Sequence, residues 1–291
     1  MAAVNGKVVL ITGGARGVGA EVARRLHERG ADLVLTDVDD GALRDIGTEL
    51  GSERVLTAVA DVRDLAAMQD VAARAVDRFG GIDVVMANAG ISTYGSVLKV
   101  DPDAFRTLVD VNIVGVFNTV RAALPSVIER RGYVLIVSSA AAFAASAGLA
   151  PYDLSKAGVE QFANALRLEV AHRGVDVGSA HMLWIDTPLV QEAKSDLPTF
   201  RKMLDALPGP LGKTTSVEAC GKAFVKGIEE RKRYVYCPSY VAAMRWLKPL
   251  LSTRFGESAS LKSVPELLPQ MDAEVEALGR SVSARTREVE K

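Results

Sequence analysis

The sequence predicts an α/β fold built on a doubly wound parallel sheet of about seven strands with helices on both faces. Short apolar runs such as residues 8–11 alternate with longer segments of helical spacing. Wholly apolar runs are typical of strands that are buried on both sides of a parallel sheet. Polar residues follow several of these runs, among them Asp37, Asp61 and Ser139. Because parallel strands end at one edge of the sheet, a ligand site is expected at that edge.

The alternation of strands and helices continues through most of the chain. Each predicted helix is a stretch with apolar residues three or four positions apart. Pro102 stands at the first turn of the longest of them, where a proline is well tolerated. The predicted strands are 8–11, 31–37, 55–60, 83–87, 133–137 and 175–180, and the main helices are one that begins at Ala20 and those over 65–79, 101–130 and 152–171.

The composition is that of an ordinary globular protein, with 48% hydrophobic and 24% charged residues in a chain of 291. We predict one domain over residues 1–236 and a partly helical extension over 237–291. A net charge of −1 gives no reason to expect nucleic-acid binding. The first strand begins too early to leave room for a signal peptide, and no uncharged apolar run is long enough for a transmembrane span. We therefore expect a cytoplasmic protein.

No metal site is predicted. The histidines His27, His172 and His181 are scattered along the chain and lack acids or thiols at ligand spacing. The cysteines Cys220 and Cys237 do not form a Cys-x-x-Cys pair and are expected to stay reduced in the cytosol.

A glycine-rich turn, Thr12 to Gly19, follows the first predicted strand and leads into a helix. Glycines permit a tight turn and a close approach of the backbone to a pyrophosphate, whose charge the helix N-terminus then binds. The alternative is an ordinary glycine-rich loop, but the next strand ends in Asp37, whose carboxylate can accept hydrogen bonds from an adenosine ribose. The candidate cofactor residues in these two segments are Gly13, Ala15, Arg16, Gly17, Val18, Gly19, Asp37 and Val38.

Tyr152 and Lys156 stand four residues apart in a segment of helical spacing. Residues i and i+4 share one face of a helix, so the ammonium is expected beside the phenol. An adjacent positive charge favours the phenolate and lowers the phenol's pKa from its usual value of about 10. Such a pair can donate and accept protons near neutral pH, although an isolated match of this kind is usually an ordinary surface pair.

Together these segments resemble the short-chain dehydrogenase/reductase family from about Lys7 to about Tyr236. The resemblance implies a three-layer Rossmann fold and hydride transfer between a nicotinamide dinucleotide and a secondary alcohol or ketone. It also implies that Tyr152 is the general acid/base, assisted by Lys156, that Ser139 donates a hydrogen bond to the substrate oxygen, and that Asn112 positions a water of a proton relay. The further cofactor contacts that it implies are Asp61, Val62, Asn88, Ala89, Gly90, Tyr152, Lys156, Ile185 and Thr187.

The chain departs from the family pattern after the sixth predicted strand. Met182 and Leu183 stand where the family usually has Pro-Gly. We expect this exchange to alter the shape of the nicotinamide and substrate pocket and to make its wall more apolar. Trp184, the next residue, is expected either in that wall or in the core.

The residues expected near the adenosine ribose carry conflicting signals about the cofactor. Asp37, followed by Asp39 and Asp40, would repel the additional phosphate of NADP, whereas Arg16 in the glycine turn is a residue type that binds such a phosphate. A carboxylate at the ribose must be neutralised before a phosphate can bind there, so we predict NAD, with NADP as the alternative.

The resemblance implies a substrate lid at about 188–215. The apolar residues of this segment suggest a lipophilic small-molecule alcohol or ketone as substrate. The alternative is that the apolar residues only face the core of the protein. They are Leu189, Val190, Leu197, Phe200, Met203, Leu204, Leu207 and Leu211.

In the C-terminal extension, residues 240–251 have apolar residues at helical spacing with cations alongside. This helix is expected to cover the chain's own substrate cleft or a partner subunit, or else to make peripheral contact with a membrane surface. The polar stretch 272–291 is expected to fray.

A homodimer or homotetramer is predicted from the two long helices, 101–130 and 152–171. The second carries more apolar and small residues than one sheet face is expected to cover. These residues are Ala157, Val159, Phe162, Ala163, Ala165, Leu166 and Val170.

Two alternatives to a dehydrogenase use the same fold. One is a non-catalytic dinucleotide sensor, which would have no need for all four of Asn112, Ser139, Tyr152 and Lys156. The other is a dehydratase or epimerase, which would need a further acid/base that the sequence does not reveal.

Overall fold

The computed structural model describes residues 3–289 and contains one sheet of seven parallel strands in the order β3-β2-β1-β4-β5-β6-β7. This confirms the predicted doubly wound fold. The strands are β1 Val8–Thr12, β2 Asp32–Asp37, β3 Val55–Val59, β4 Val84–Ala87, β5 Tyr133–Val137, β6 Asp176–Met182 and β7 Tyr234–Cys237. The helices are α1 Gly17–Glu28, α2 Asp40–Leu50, α3 Leu65–Phe79, α4 Pro102–Val109, α5 Gly115–Glu129, α6 Ala150–Val170, α7 Pro188–Asp196, α8 Pro198–Asp205, α9 Val217–Glu229, α10 Val241–Leu251, α11 Ser258–Leu278 and α12 Ala284–Val289.

Two hydrophobic cores cover the two faces of the sheet. Every residue of β1 is buried, since its alternate side chains, such as Val9 and Leu10, enter opposite cores. Helices α1, α2 and α9 pack on one face, and α3, α5 and α6 pack on the other. The strand order reverses between β1 and β4, and in open α/β sheets this switch point forms a crevice at the carboxyl ends of the strands.

The long helix predicted over 101–130 is not a continuous α-helix, because its hydrogen-bonding pattern changes in the middle. Asp101 caps α4 by accepting a hydrogen bond from the N–H of Asp103 at 2.9 Å. A π-helical segment, Asp110–Val114, then joins α4 to α5 and contains the fully buried Asn112. Within the described residues, Pro102–Glu129 is the one helical stretch long and apolar enough to cross a membrane by those two criteria, but here it packs against α3 and α6.

The expectation that residues 272–291 fray is wrong for the part that the structure describes; residues 290–291 lie outside it. Helix α11 runs to Leu278, and Met271, Val275 and Val282 are buried. The first two lie four positions apart, so they form an apolar stripe among polar neighbours that packs against α8. Buried side chains and ion pairs to α7 therefore order a stretch whose composition is polar.

The surplus of apolar surface predicted on α6 is smaller than expected. Val159, Ala163, Leu166 and Val170 are all buried within the single chain, because the sheet face covers them. Of the other predicted residues, Ala157 and Ala165 are exposed. The large apolar side chains that remain exposed on α4, the π-helical segment that follows it, α5 and α6 are Phe105, Val114, Phe117, Leu154 and Leu168.

Candidate active site

A cavity of about 290 Å³ lies at the carboxyl edge of the sheet. Most of the predicted cofactor residues line it, but three do not. Ala15 and Gly19 belong to the glycine turn but do not line the cavity, and Ile185 lines a neighbouring cavity. The predicted residues that do line it are Gly13, Arg16, Gly17, Val18, Asp37, Val38, Asp61, Val62, Asn88, Ala89, Gly90, Tyr152, Lys156 and Thr187.

The glycine turn leaves no room for side chains at two of its positions. We call the part of the first cavity that this turn lines the glycine cradle. Gly13 has φ +62°, and a Cβ there would stand 3.0 Å from the Cα of Ala89. A Cβ on Gly19 would stand 2.1 Å from the carbonyl oxygen of Gly13, so α1 can approach the turn only with glycine at this position. The first residue of α1, Gly17, faces the cavity. Backbone N–H groups at a helix N-terminus suit an anion such as a pyrophosphate, so the turn fits a dinucleotide.

Asp37, the last residue of β2, lines the first cavity and contacts the glycine turn. Its carboxylate accepts hydrogen bonds from the backbone N–H of Ala15 at 3.3 Å and of Asp39 at 3.2 Å. Burial raises the pKa of Asp37 above its ordinary value, and these N–H groups oppose the shift only in part. Arg16 does not pair with Asp37, because its guanidinium is bound to Asp39.

The adjoining strands contribute residues held by local hydrogen bonds. Burial acts to raise the pKa of Asp61, but the Arg63 guanidinium and backbone N–H lower it below its ordinary value overall. The side-chain amide of Asn88 donates to the carbonyl oxygens of Thr12 at 2.9 Å and Gly13 at 3.1 Å. Asn88 therefore joins the end of β4 to the glycine turn.

A second cavity, of about 440 Å³, adjoins the first. Four residues line both cavities, namely Tyr152, Met182, Thr187 and Leu189. Ser139 lines only the second cavity and Lys156 only the first. Tyr152 therefore stands between the glycine cradle and a separate space whose walls are largely apolar.

The predicted lowering of the Tyr152 pKa is absent from the structure. Burial raises the pKa of Tyr152 to about 12, which hydrogen bonding with Ser139 opposes in part. Burial also lowers the pKa of Lys156 to about 8. The ammonium lies 5.6 Å from the centre of the Tyr152 ring and donates to the carbonyl oxygen of Val137 at 3.1 Å. Desolvation of both groups thus outweighs their mutual attraction.

Asn112 lies behind the cavities rather than in their walls. Its amide oxygen accepts from the N–H of Ile91 at 2.8 Å, and its amide nitrogen donates to the Ile91 carbonyl at 2.9 Å and to the Ser155 hydroxyl at 3.0 Å. A Cβ on Gly90 would stand 3.2 Å from the Asn112 oxygen and 3.4 Å from the Lys156 ammonium. The π-helical segment thus brings Asn112 to the base of the Tyr152 helix.

Ser139 is held by a buried His–Glu pair that the sequence did not reveal. The His181 ring nitrogen Nδ1 lies 3.3 Å from the carbonyl oxygen of Ser139, and Nε2 lies 2.9 Å from Glu160. Glu160 is one helical turn past Lys156, so the acid that was not found near His181 in sequence comes from α6. The described residues contain no group of three or more His, Cys, Asp or Glu side chains arranged to hold a metal ion.

Two further features of the site were missed. Burial raises the pKa of Asp153, which lines the second cavity, to about 7. Its only sequence signal was the adjacent Tyr152, and an acid in the first turn of a helix is ordinary. Residues of the C-terminal segment, Ser283, Arg285 and Thr286, line the first cavity, and nothing local in the sequence links them to the glycine turn.

The departure at Met182 and Leu183 puts two apolar side chains beside the junction of the cavities. Both expected placements of Trp184 are found. It lines the second cavity, and its ring also packs edge-on against that of Phe200, with 5.5 Å between the ring centres. Helix α10 and the start of α11 cover the same cavity, with Met244, Leu251, Leu261 and Val264 among its lining residues.

Comparison with known proteins agrees with this site. Residues 7–198 match the family described as short chain dehydrogenase. A (−)-trans-carveol dehydrogenase of Rhodococcus erythropolis is 37% identical over 209 residues, which cover 66% of this chain and 75% of that protein. Among solved structures, a 3-ketoacyl-(acyl-carrier-protein) reductase from Brucella melitensis, complexed with NADH, is similar with a TM-score of 0.72 and 27% identity over 80% of this chain and 97% of its own.

Levodione reductase is similar with a TM-score of 0.74 and 26% identity over 82% of this chain and 98% of its own. The glycine cradle, the Tyr152–Lys156 helix and the matched residues 7–198 lie together at one edge of the sheet. The chain therefore belongs to the short chain dehydrogenase family of oxidoreductases, which act on CH–OH groups.

Proposed function

We propose that the protein is an NAD-dependent dehydrogenase that interconverts a lipophilic secondary alcohol and its ketone, with Tyr152 as the general acid/base. The observation that carries the proposal is that Tyr152 lies at the junction of the glycine cradle and the apolar cavity. A substrate in the second cavity would meet a cofactor in the first at this side chain, as hydride transfer requires.

Bound nicotinamide dinucleotide supplies the hydride donor or acceptor. In the direction of reduction, the Tyr152 phenol donates its proton to the carbonyl oxygen. With a pKa of about 12 the phenol is protonated at neutral pH. The buried ammonium of Lys156 stabilises the phenolate that remains, and the Ser139 hydroxyl donates a hydrogen bond to the substrate oxygen. Oxidation runs these proton transfers in reverse, with the phenolate as the base.

The hydrogen bonds of Asn112 support this machinery from behind. Its contacts to Ile91 and Ser155 join the loop after β4 to the Tyr152 helix. We propose that Asn112 also positions a water beside Lys156, through which the proton lost in oxidation reaches solvent.

NAD is favoured over NADP by the charges around Asp37. The carboxylate faces the cavity, and the nearby cation, Arg16, is already paired with Asp39. The similar reductase from Brucella melitensis is complexed with NADH. We propose that Asp37 accepts the hydrogen bonds of an unphosphorylated ribose.

Replacing Asp37 with Ala is expected to lower the preference for NADH over NADPH by about tenfold or more, because a like charge no longer repels the additional phosphate. Dissociation constants of both reduced cofactors, from fluorescence titration, measure the change. Asp40→Ala is the matched control, since Asp40 is exposed and pairs with Arg44. A wild-type protein that already prefers NADPH would contradict the assignment.

The proposed substrate class rests on the walls of the second cavity. Apolar side chains from α7, α8, α10 and α11 enclose it, and carveol and levodione appear in the names of similar proteins. The cavity residues drawn from the predicted lid are Leu189, Val190, Ala193, Phe200, Leu207, Pro208 and Leu211.

A panel of alcohols tests the function. The protein is incubated with NAD or NADP and with carveol, hydroxysteroids, retinol or aliphatic alcohols, and formation of the reduced cofactor is followed by absorbance; levodione is tested in reverse with NADH. Turnover of apolar secondary alcohols is expected. NADH binding without turnover of any member would favour the sensor, and no dinucleotide binding would reject both readings.

We further propose that the protein is a homodimer or homotetramer through α5 and α6. Phe117 and Leu168 are 45% and 80% exposed, and Phe117 lies 6.3 Å from Phe162 of α6, so the exposed groups lie on adjoining helices. Phe117→Glu is expected to shift the protein toward monomer in sedimentation velocity at micromolar concentration. Val59→Glu, at an exposed site on the edge strand β3, is the control. A wild-type monomer of 30.9 kDa with full activity would contradict the proposal.

A further inference from the structure

The C-terminal segment 280–286 crosses the first cavity, and we call it the C-terminal strap. On one side it joins the loop after β4, where Thr93 and Val282 form an antiparallel bridge and the Tyr94 N–H donates to the Ser281 carbonyl at 2.8 Å. The Ser281 hydroxyl also accepts from the N–H of Asp101 at 3.0 Å. The strap is therefore attached to the loop that follows Asn88 and Gly90.

On the other side the strap is latched to α7. Arg280 makes a bidentate pair with Asp196, at 2.7 and 2.8 Å, and both side chains are largely buried. Arg285 pairs with Glu192. Glu192 and Asp196 are one turn apart on α7, so both arginines bind the same face of this helix. Bidentate Arg–carboxylate pairs are among the stronger charge-assisted contacts.

Between these attachments the strap forms part of the cavity wall. Ser283, Arg285 and Thr286 line the cavity together with the glycine turn. Ser283 and Thr286 are buried and lie within hydrogen-bonding distance of each other, at 3.1 Å, so they are held in place. Arg16 and Asp39, which pair with each other, line the same cavity as Arg285.

Part of this chain lies outside the regions that it shares with the similar reductases. The two solved structures match 97% and 98% of their own lengths but only 80% and 82% of this chain. The family match ends at residue 198, before the strap begins. The strap therefore lies outside the part of the chain that the family match covers.

We propose that the C-terminal strap is a latch on the cofactor cleft: Arg285 binds the phosphates of the dinucleotide, and the Arg280–Asp196 pair must open before the cofactor can enter or leave. The proposal rests on the dinucleotide binding proposed above. The two arginines have separate roles in it. Arg285 contributes affinity, whereas Arg280 controls access.

Stopped-flow fluorescence with NADH separates the two roles, with displacement by excess NAD giving the dissociation rate. Arg285→Gln is expected to raise the dissociation rate about tenfold with an unchanged association rate, because a phosphate contact is lost. Arg280→Gln and Asp196→Asn are expected to raise both rates by about tenfold, since the latch is open before and after binding. The double variant Arg280→Gln with Asp196→Asn is expected to have the same rates as either single variant, because each substitution alone already removes the pair.

Arg287→Gln is the matched control, as Arg287 is exposed on α12 and does not line the cavity. Thermal unfolding establishes that each variant is folded; if Arg280→Gln is not, Asp196→Asn alone decides the latch. The latch would be overturned if the wild type binds NADH but the association and dissociation rates of Arg280→Gln and Asp196→Asn stay within about twofold of the control. Rates in Arg285→Gln equal to those of the control would overturn the phosphate contact. A wild-type protein that binds no NADH would instead reject the proposed function.

Discussion

Replacing Tyr152 with Phe is expected to lower turnover by about 10²–10⁴-fold while NADH affinity changes little. Phe keeps the ring that separates the two cavities and removes only the hydroxyl that we propose to exchange the proton. Turnover is measured with the best alcohol from the panel, and NADH affinity by fluorescence titration.

Tyr94→Phe provides the matched control for this variant. Tyr94 is another buried tyrosine that lines the second cavity, and it has no part in the proposed chemistry. Its removal is expected to change turnover by less than about tenfold. If Tyr152→Phe retains more than about a tenth of the wild-type rate, Tyr152 is not the general acid/base.

Replacing Lys156 with Met is expected to remove the pH dependence of alcohol oxidation near pH 8 and to lower the rate at neutral pH by about 10²-fold or more. In the wild type, the Tyr152–Lys156 pair loses its first proton with an apparent pKa near that of Lys156, about 8. Above that pH we expect the neutral Lys156 amine to be the final acceptor of the proton that the alcohol passes to the Tyr152 hydroxyl. Oxidation should therefore rise as the pH increases through about 8 and then level off.

In the Met variant the remaining acid is Tyr152, whose pKa of about 12 moves the rise in rate beyond the accessible range. Initial rates from about pH 6 to about pH 10 measure both profiles. Lys202→Met, at an exposed lysine on α8, should keep the wild-type profile. A Lys156→Met enzyme that retains the inflection would show that another group titrates, and Asp153, with a pKa of about 7, would then be the first to replace.

The sequence predicted those parts of the fold and the site whose signals are local. An apolar run followed by Thr12 to Gly19 contains the strand, the turn and the start of the helix in one continuous stretch, and the structure has β1 and α1 there. Tyr152 and Lys156 are one helical turn apart, so their proximity follows from helix geometry alone.

Features that depend on distant residues were not predictable in this way. Arg280 and Asp196 are 84 positions apart, and only the packing of α11 brings them together. The pKa of Tyr152 went in the opposite direction from the prediction, because spacing reveals the neighbouring cation but not the burial of both groups. The polar composition of residues 272–289 likewise concealed the burial of Val275 and Val282.

The π-helical segment that contains Asn112 sets the rotational phase of the helix on either side of it. In an α-helix each residue advances the chain by about 100°, so one residue too many shifts everything beyond it by that angle. Upstream of Gly115 the helix directs Asn112 toward Ser155, and downstream it directs Val116 and Val120 into the core. Deleting a single residue here would restore regular α-helical hydrogen bonding. Either Asn112 would then turn away from Ser155, or the later valines would turn away from the core. The π-helical segment thus lets one helix place Asn112 against the Tyr152 helix and its later valines in the core.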